Sequence, residues 1–375
     1  MNRRTFATAA PVSLFALPAS AQPARTAPGA PTATESDAIA KFAAEFMQAF
    51  QVPGLSVAVG HGDRLLYADA WGLADREKNE RLTVDHRMRI ASVSKPVTSV
   101  ALFTLIERGA LRLTDRVFGP GALLDRDFGS PPSHSGIERI TVEHLLTHTA
   151  GGWPNDRTDP MFANLQMGHA ELIALTLKNH PLDHAPGEHY AYSNFGFCVL
   201  GRVIEKVTRQ RYADFVQGAV LKRSGIEGMT IGGNTLADRQ PGEVRYYNQD
   251  KFDAYGMNVT RMDSHGGWIA RPSDLVRFAL HAGRFDTPGQ ILGPETARVM
   301  TSATQANAAY AKGWHVNRLD NWWHTGSLPG TQTFMARIHS GFCWAAFMNT
   351  RPTNAKADLD GLMWKMVRQV KGWRA

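Results

Sequence analysis

The sequence predicts an α+β fold, an antiparallel sheet flanked by N- and C-terminal helices, with a mostly helical region inserted between its strands. Three observations predict it. Segments of strand character occur near both ends of the 375-residue chain: 54–60, 64–71, 313–317, 331–338 and 342–348. Apolar residues recur at helical spacing close to both termini. Between about 110 and 265 the character changes to helical pieces linked by long Gly/Pro loops. The economical solution joins the terminal strands in one sheet. Residues 35–109 and 266–375 form this sheet region, 110–265 form the insertion, and a cleft opens at the seam.

The elements follow in chain order. Asn2-Arg3-Arg4-Thr5-Phe6 is a twin-arginine pattern, followed by a short apolar stretch and the A-x-A signal Ala19-Ser20-Ala21. Residues 1–21 are expected to be a signal peptide for periplasmic or secreted export. Residues 22–34, rich in Pro, Ala and Thr, are expected to be a disordered lead-in. Ser36-Asp37 reads as the cap of a helix presenting Ile39, Phe42, Ala43, Phe46, Met47 and Phe50 on one face. The first two strands flank a His61-Gly62-Asp63 turn. An apolar helix opens at Ser92 and stops at Gly109. Further helices are expected at 140–148, 170–179, 195–210, 212–221 and 273–282, and an amphipathic one from about 355 to 370.

Composition narrows the function classes. A hydrophobic fraction of 43% with nine Trp fits a globular enzyme. No apolar run reaches the roughly 18–20 residues that span a bilayer. The net charge is +7, falling to +5 when Arg3 and Arg4 leave with the leader. The basic residues are scattered among acids, which argues against nucleic acid as a partner. Cys198 and Cys343, the only cysteines, lie in apolar settings and read as buried free thiols. Oligomeric state is not legible.

The first chemical motif is Ser92-Val93-Ser94-Lys95. A serine three residues before a lysine shares its helix face. Serine is a weak nucleophile until something takes its proton, and a lysine desolvated by apolar surroundings can be that base. The helix beyond Lys95 is apolar nearly all round, so it is buried, and Pro96 fits only its first turn. The pair therefore sits at the mouth of a buried helix, where N–H groups favour developing negative charge.

The second motif, Tyr192-Ser193-Asn194, is placed on a loop before a helix. In extended backbone, positions i and i+2 point the same way, so Tyr192 and Asn194 face one cleft. Near a cationic lysine a tyrosine becomes more acidic and relays protons. Asn194 offers a donor and an acceptor to a substrate. The third is His324-Thr325-Gly326, followed by Ser327. Gly326 permits close backbone approach to a ligand. The N–H of Ser327 would join that of Ser92 as an oxyanion hole, and the Thr325 hydroxyl would hold a substrate carboxylate or carbonyl. Each motif alone has a plain structural explanation: a helix cap, a packed loop, a strand end with a turn.

With Ser-x-x-Lys, Tyr-x-Asn and His-Thr-Gly in this order, the chain resembles the serine β-lactamase/DD-peptidase superfamily over roughly residues 36–370. It is most similar to the branch of class C β-lactamases, D-Ala-D-Ala carboxypeptidases, D-aminopeptidases and related esterases. Met88-Arg89-Ile90-Ala91, the segment 144–152 and Gly266-Gly267-Trp268 add to the likeness. The resemblance implies an acyl-enzyme on Ser92, with Lys95 and Tyr192 handling protons. It implies hydrolysis of amide or ester bonds in a small molecule or short peptide, as a D-amino-acid peptidase or small-ester esterase. A class C-like β-lactamase, or a penicillin-binding sensor that acylates without turnover, is the alternative. His324 departs from the Lys-Thr-Gly of class C enzymes and places a titrating imidazole where they carry a permanent cation.

No cofactor or metal is expected. His144 and His148 are four residues apart, but no His-Glu-x-x-His pattern accompanies them, so they read as structural histidines. His180, His184 and His189 share a loop without a known metal spacing. Trp153 either walls the cleft or belongs to the core. Pocket shape is assigned to the loops 118–137, 151–168 and 229–262.

Overall fold

The computed structural model describes residues 29–129, 132, 135–285, 288–352 and 358–373. The expected signal peptide and all of the lead-in before residue 29 lie outside the described residues. Strands are β1 (Gly54–His61), β2 (Arg64–Asp75), β3 (Glu80–Arg81), β4 (Met88–Arg89), β5 (Thr230–Ile231), β6 (Tyr247–Asn248), β7 (Trp268–Ala270), β8 (His315–Val316), β9 (Trp322–Leu328), β10 (Thr331–Arg337), β11 (Phe342–Met348) and β12 (Thr350–Arg351). Helices are α1 (Ala33–Phe50), α2 (Ser94–Glu107), α3 (Val142–Leu146), α4 (Pro160–Ala163), α5 (His169–Asn179), α6 (Asn194–Thr208), α7 (Tyr212–Val216), α8 (Pro272–His281), α9 (Pro294–Met300) and α10 (Leu359–Gln369).

Seven strands form one sheet in the order β3-β2-β1-β11-β10-β9-β8, every pairing antiparallel. The β1–β11 ladder, Leu55 opposite Met348 through His61 opposite Phe342, closes the two ends of the chain onto each other. Side chains alternate along these strands. Val57, Val59, Trp344 and Ala346 pack with α1 and α10, whereas Ala58, Ala345 and Phe347 join the larger core with α2, α6 and α8. Period-2 alternation thus builds a layer on each face. Each fully buried Leu, Met or Phe contributes roughly 1.5–3 kcal/mol.

The structure corrects several boundaries. α1 begins at Ala33, so residues 33 and 34 belong to a helix and not to the lead-in. Its cap is Thr32, whose hydroxyl accepts from Glu35 N–H while the Glu35 carboxylate accepts from Thr32 N–H, a capping box written T-x-x-E. β9 is a seven-residue strand. The segment 212–221 leaves α-helical geometry after Val216, where the turn widens. Cys198 and Cys343 are buried and unbridged. Among the described residues no helix is long and apolar enough to cross a membrane.

Candidate active site

Ser92 is held by a short chain of backbone contacts. Ile90 N–H donates to Trp268 O on β7, and Val93 N–H donates back to Ile90 O in a tight turn over Ala91–Val93. Ala91, just before the serine, has φ +49°, a left-handed conformation that costs a non-glycine residue energy and often marks a functional site. From Met88 to Leu105 Ser92 alone is not buried. α2 runs from Ser94 into the core, with every residue to Leu105 buried, so the expected position at a helix mouth is observed.

Lys95 is wholly buried beneath Ser92. Its Nζ lies 3.1 Å from Ser92 Oγ, 2.8 Å from Asn194 Oδ1 and 3.1 Å from His265 O, and 4.7 Å from the Tyr192 ring centre. Burial pulls its pKa down to about 7, with the Asp159 carboxylate opposing that shift. The partners decide what a neutral amine does here. Asn194 Nδ2 donates to Asn155 Oδ1 at 2.9 Å and Asp159 Oδ2 at 2.8 Å, which fixes Oδ1 toward Lys95. Asn194 Oδ1 and the His265 carbonyl can only accept. They take the two amine hydrogens, and the lone pair is left facing Ser92 Oγ, the one partner with a proton to give.

Tyr192 is buried and its hydroxyl bonds to the Ser92 side chain. The structure reverses the expected acidity: loss of solvent raises the Tyr192 pKa well above its usual value, with the Ser92 bond only partly opposing. Tyr192 therefore keeps its proton. Asn194 opens α6 behind a Ser193 cap that accepts from Gly196 N–H at 3.1 Å, so it is a helix residue and not a loop one.

The third motif lies on β9. β8 pairs only with Trp322 and Trp323, so the rest of β9 forms an edge beside Ser92. Gly326 makes that approach possible: a Cβ there would overlap the Ile90 carbonyl oxygen and Thr333 Oγ1. The close approach it allows here is to the backbone preceding Ser92. Ser327 lines the same cavity as Ser92. Thr325 is exposed on the strand and stands outside that lining.

His324 departs furthest from expectation. It is 1% exposed, outside the cavity lining, and both ring nitrogens face protein partners. Nδ1 lies 2.7 Å from Thr325 O, an acceptor, so Nδ1 carries the proton. Nε2 lies 3.3 Å from Tyr310 Oη. At the far end, Ser193 N–H donates to His148 Nδ1 at 3.1 Å, which puts the His148 proton on Nε2, 3.0 Å from the same tyrosine oxygen. Both ends give one answer: His148 donates to Tyr310, Tyr310 donates to His324, and His324 donates to Thr325 O. Burial pushes both imidazole pKa values well down, and nearby Lys95 and the neighbouring histidines add to it. The titrating imidazole expected at this position is thus a neutral one.

The cavity at Ser92 has a volume of about 860 Å³. One wall is apolar, from Phe162, Leu165, Met257, Met262 and Leu328. Its rim carries Asp156, Arg157, Lys251, Asp253 and Arg351, the last paired with Asp250. Arg261 holds the Phe162 wall by donating to the carbonyls of Met161, Asn164 and Met167. None of the described residues of loop 118–137 joins the lining, contrary to expectation, whereas 151–168 and 229–262 contribute to it. Trp153 is core, edge-on to Phe118 and Phe195. Sequence reasoning missed Asp159, Asn155, His265 and Tyr310. An Asp-Pro helix start at 159–160 was the one available signal, and it announces only a cap.

A family model described as Beta-lactamase matches residues 39–363. The chain belongs to this family. Among curated relatives, Protein flp of Staphylococcus aureus (strain COL) is 24% identical over 307 residues, 77% of this chain and 58% of that protein. Esterase EstB of Burkholderia gladioli is 34% identical over 221 residues, 52% of this chain and 53% of that one. The chain thus spans little more than half the length of these relatives. Solved structures show the same fold. A D-amino acid amidase from Ochrobactrum anthropi SV3 superposes with TM-score 0.73 at 20% identity, covering 92% of this chain and 100% of that one. D-alanine carboxypeptidase AmpC from Burkholderia cenocepacia gives 0.67 at 18%, covering 89% and 99%. The family includes amidases and esterases built on this β-lactamase-like fold.

Proposed function

We propose that this protein is a serine hydrolase that cleaves small, uncharged esters or amides through an acyl-enzyme on Ser92. The observation that carries the proposal is the partner set of Lys95: two pure acceptors take the amine hydrogens, and the lone pair meets the Ser92 hydroxyl. A base with a pKa near 7 is matched to neutral pH. Lys95 takes the Ser92 proton as Oγ attacks the carbonyl carbon. The N–H groups of Ser92 and Ser327 receive the oxyanion, each such donor typically supplying about 3–4 kcal/mol. Tyr192, still protonated, gives its proton to the leaving group and recovers one from Lys95. Water then attacks the ester carbonyl, its proton returns through the same pair, and Ser92 is released.

The preference for uncharged substrates rests on His324. A neutral ring locked between Tyr310 and Thr325 O supplies no cation to attract a carboxylate at this motif. The likeness to an esterase supports the same class. The twin-arginine pattern at Arg3-Arg4 supports action after export. The test is a panel of a short-chain aryl ester, an N-acetyl-D-alanyl anilide, a D-Ala-D-Ala peptide and a chromogenic cephalosporin, each run with Ser92→Ala as control. Multiple turnovers of the neutral ester or anilide, absent in the control, support the proposal. Faster turnover of the carboxylate-bearing peptide or cephalosporin contradicts the substrate class, and a trapped adduct that never decays contradicts the enzyme.

A further inference from the structure

We infer that Asp159 is the positioning residue of the Ser92–Lys95 pair: its buried carboxylate holds the Asn194 amide in the one orientation that aims the lysine at the serine, and supplies the negative charge behind that lysine. The inference rests on Lys95 acting as the base.

Asp159 is 1% exposed, and both of its oxygens are used. Oδ1 accepts from Met161 N–H at 2.9 Å, and Oδ2 accepts from Asn194 Nδ2 at 2.8 Å. Among the described residues it forms no ion pair within 4.0 Å. A buried carboxylate without an adjacent cation is costly and is rarely kept without a purpose. Its position supplies one. Asn194 is a two-ended relay, its amide nitrogen on Asp159 Oδ2 and Asn155 Oδ1 and its oxygen on Lys95 Nζ. Asn155 can turn its own amide, whereas the Asp159 carboxylate can only accept, so Asp159 decides which end Lys95 meets. Were the amide reversed, its NH₂ would face the amine hydrogens, and the lone pair could turn from Ser92 toward that donor.

The groups facing this chain leave Asp159 as the charge that matters. Asp156 and Arg261 face Asp159 from its own loop and from the segment at 260–262, and Arg261 is committed to three carbonyls. Tyr192 and Cys198 are buried and protonated. His148, His265 and His324 surround Lys95 and are held neutral by burial. Asp159 opposes the desolvation of Lys95, and burial in turn lifts the Asp159 pKa to about 6.

The test compares pH profiles. Asp159→Asn keeps the shape and an acceptor for Asn194 while removing the charge, and Asp159→Ser, which also caps the Met161 N–H, serves if the first variant does not fold. The readout is kcat/KM for a neutral aryl ester from pH 5 to 10, with circular dichroism to establish folding. Removing the charge lowers the lysine's proton affinity, so the acidic limb is expected to move down by about one pH unit. A folded variant whose rate falls while the limb stays in place, or moves up, overturns the inference and leaves Asp159 a structural cap. Ser92→Ala run in parallel separates the two ideas: turnover kept there at the wild-type level overturns Ser92 as the nucleophile, and with it Lys95 as its base.

Discussion

Two polar chains flank the Tyr192 ring, which lies against Lys95 of one and against His148, Tyr310 and His324 of the other, and they handle protons in opposite ways. One runs Asp159–Asn194–Lys95–Ser92, the other His148–Tyr310–His324–Thr325 O. In the second, fixed acceptors and donors at both ends assign every proton to one place, and moving any of them leaves a buried group unpaired. In the first, Lys95 has a pKa near 7 and one partner, Ser92, that can either give or accept. Burial alone does not make a group reactive, since Lys95 and His324 are equally dry. Reactivity needs a proton with two acceptable positions, and the inert chain keeps its neighbour from acquiring a competing charge.

Breaking the reactive chain gives the largest effects. Ser92→Ala is expected to lower kcat/KM for a neutral ester by roughly 10⁴-fold or more, measured by initial rates. Lys95→Met removes the base and fills its space with an apolar side chain. Activity is expected to fall at least about 10³-fold while stability to urea at pH 7 rises, because the buried amine no longer has to shed its proton on folding. The sign follows from linkage. The folded Lys95 pKa lies below the unfolded one, so folding releases a proton between about 7 and 10.5. Relative to Lys95→Met, the wild type is therefore destabilised below pH 7 and recovers about 1.4 kcal/mol per pH unit above it. Parallel urea curves at all pH values would show that the amine stays charged in the fold.

The inert chain yields smaller, different effects. His324→Lys places a cation where the imidazole is neutral. The ratio of kcat/KM for a carboxylate-bearing peptide to that for the neutral ester is expected to rise about tenfold. An unchanged ratio would remove His324 from the account of specificity. Tyr310→Phe orphans one histidine donor and one acceptor, costing about 1–3 kcal/mol in thermal or urea unfolding. Ester turnover is expected to stay within a few-fold of wild type, and a loss as deep as that of Lys95→Met would merge the two chains into one device.

The comparison also marks how far the sequence could be read. The sheet with its flanking helices was legible because alternation at 54–60 and 342–348, and helical spacing at both ends, are local signals. Ser92, Lys95, Tyr192 and Asn194 were legible as motifs, and they do come together. Asp159 was not, since nothing local to Thr158-Asp159-Pro160 announces that its carboxylate will back Asn194 from across the fold. His324 was seen but expected to titrate, whereas burial holds it neutral. An imidazole's titration depends on what buries it and what its second nitrogen meets, and Tyr310 and His148 are supplied by distant segments. Tyr192 failed for the same reason: an effect of charge was expected, and desolvation won. The start of α1 was missed although Thr32-x-x-Glu35 was in view, because a Pro- and Ala-rich run masked the capping pair.

The central claim is that Lys95 is a base of near-neutral pKa aimed at Ser92. The most direct measurement is the rate at which an uncharged organophosphorus probe phosphonylates Ser92 as a function of pH, with the modified residue located by mass spectrometry. The account predicts labelling at Ser92 alone, with a rate that rises through a midpoint near pH 7 and then levels. A rate still climbing toward pH 10, or modification of another residue, would contradict it.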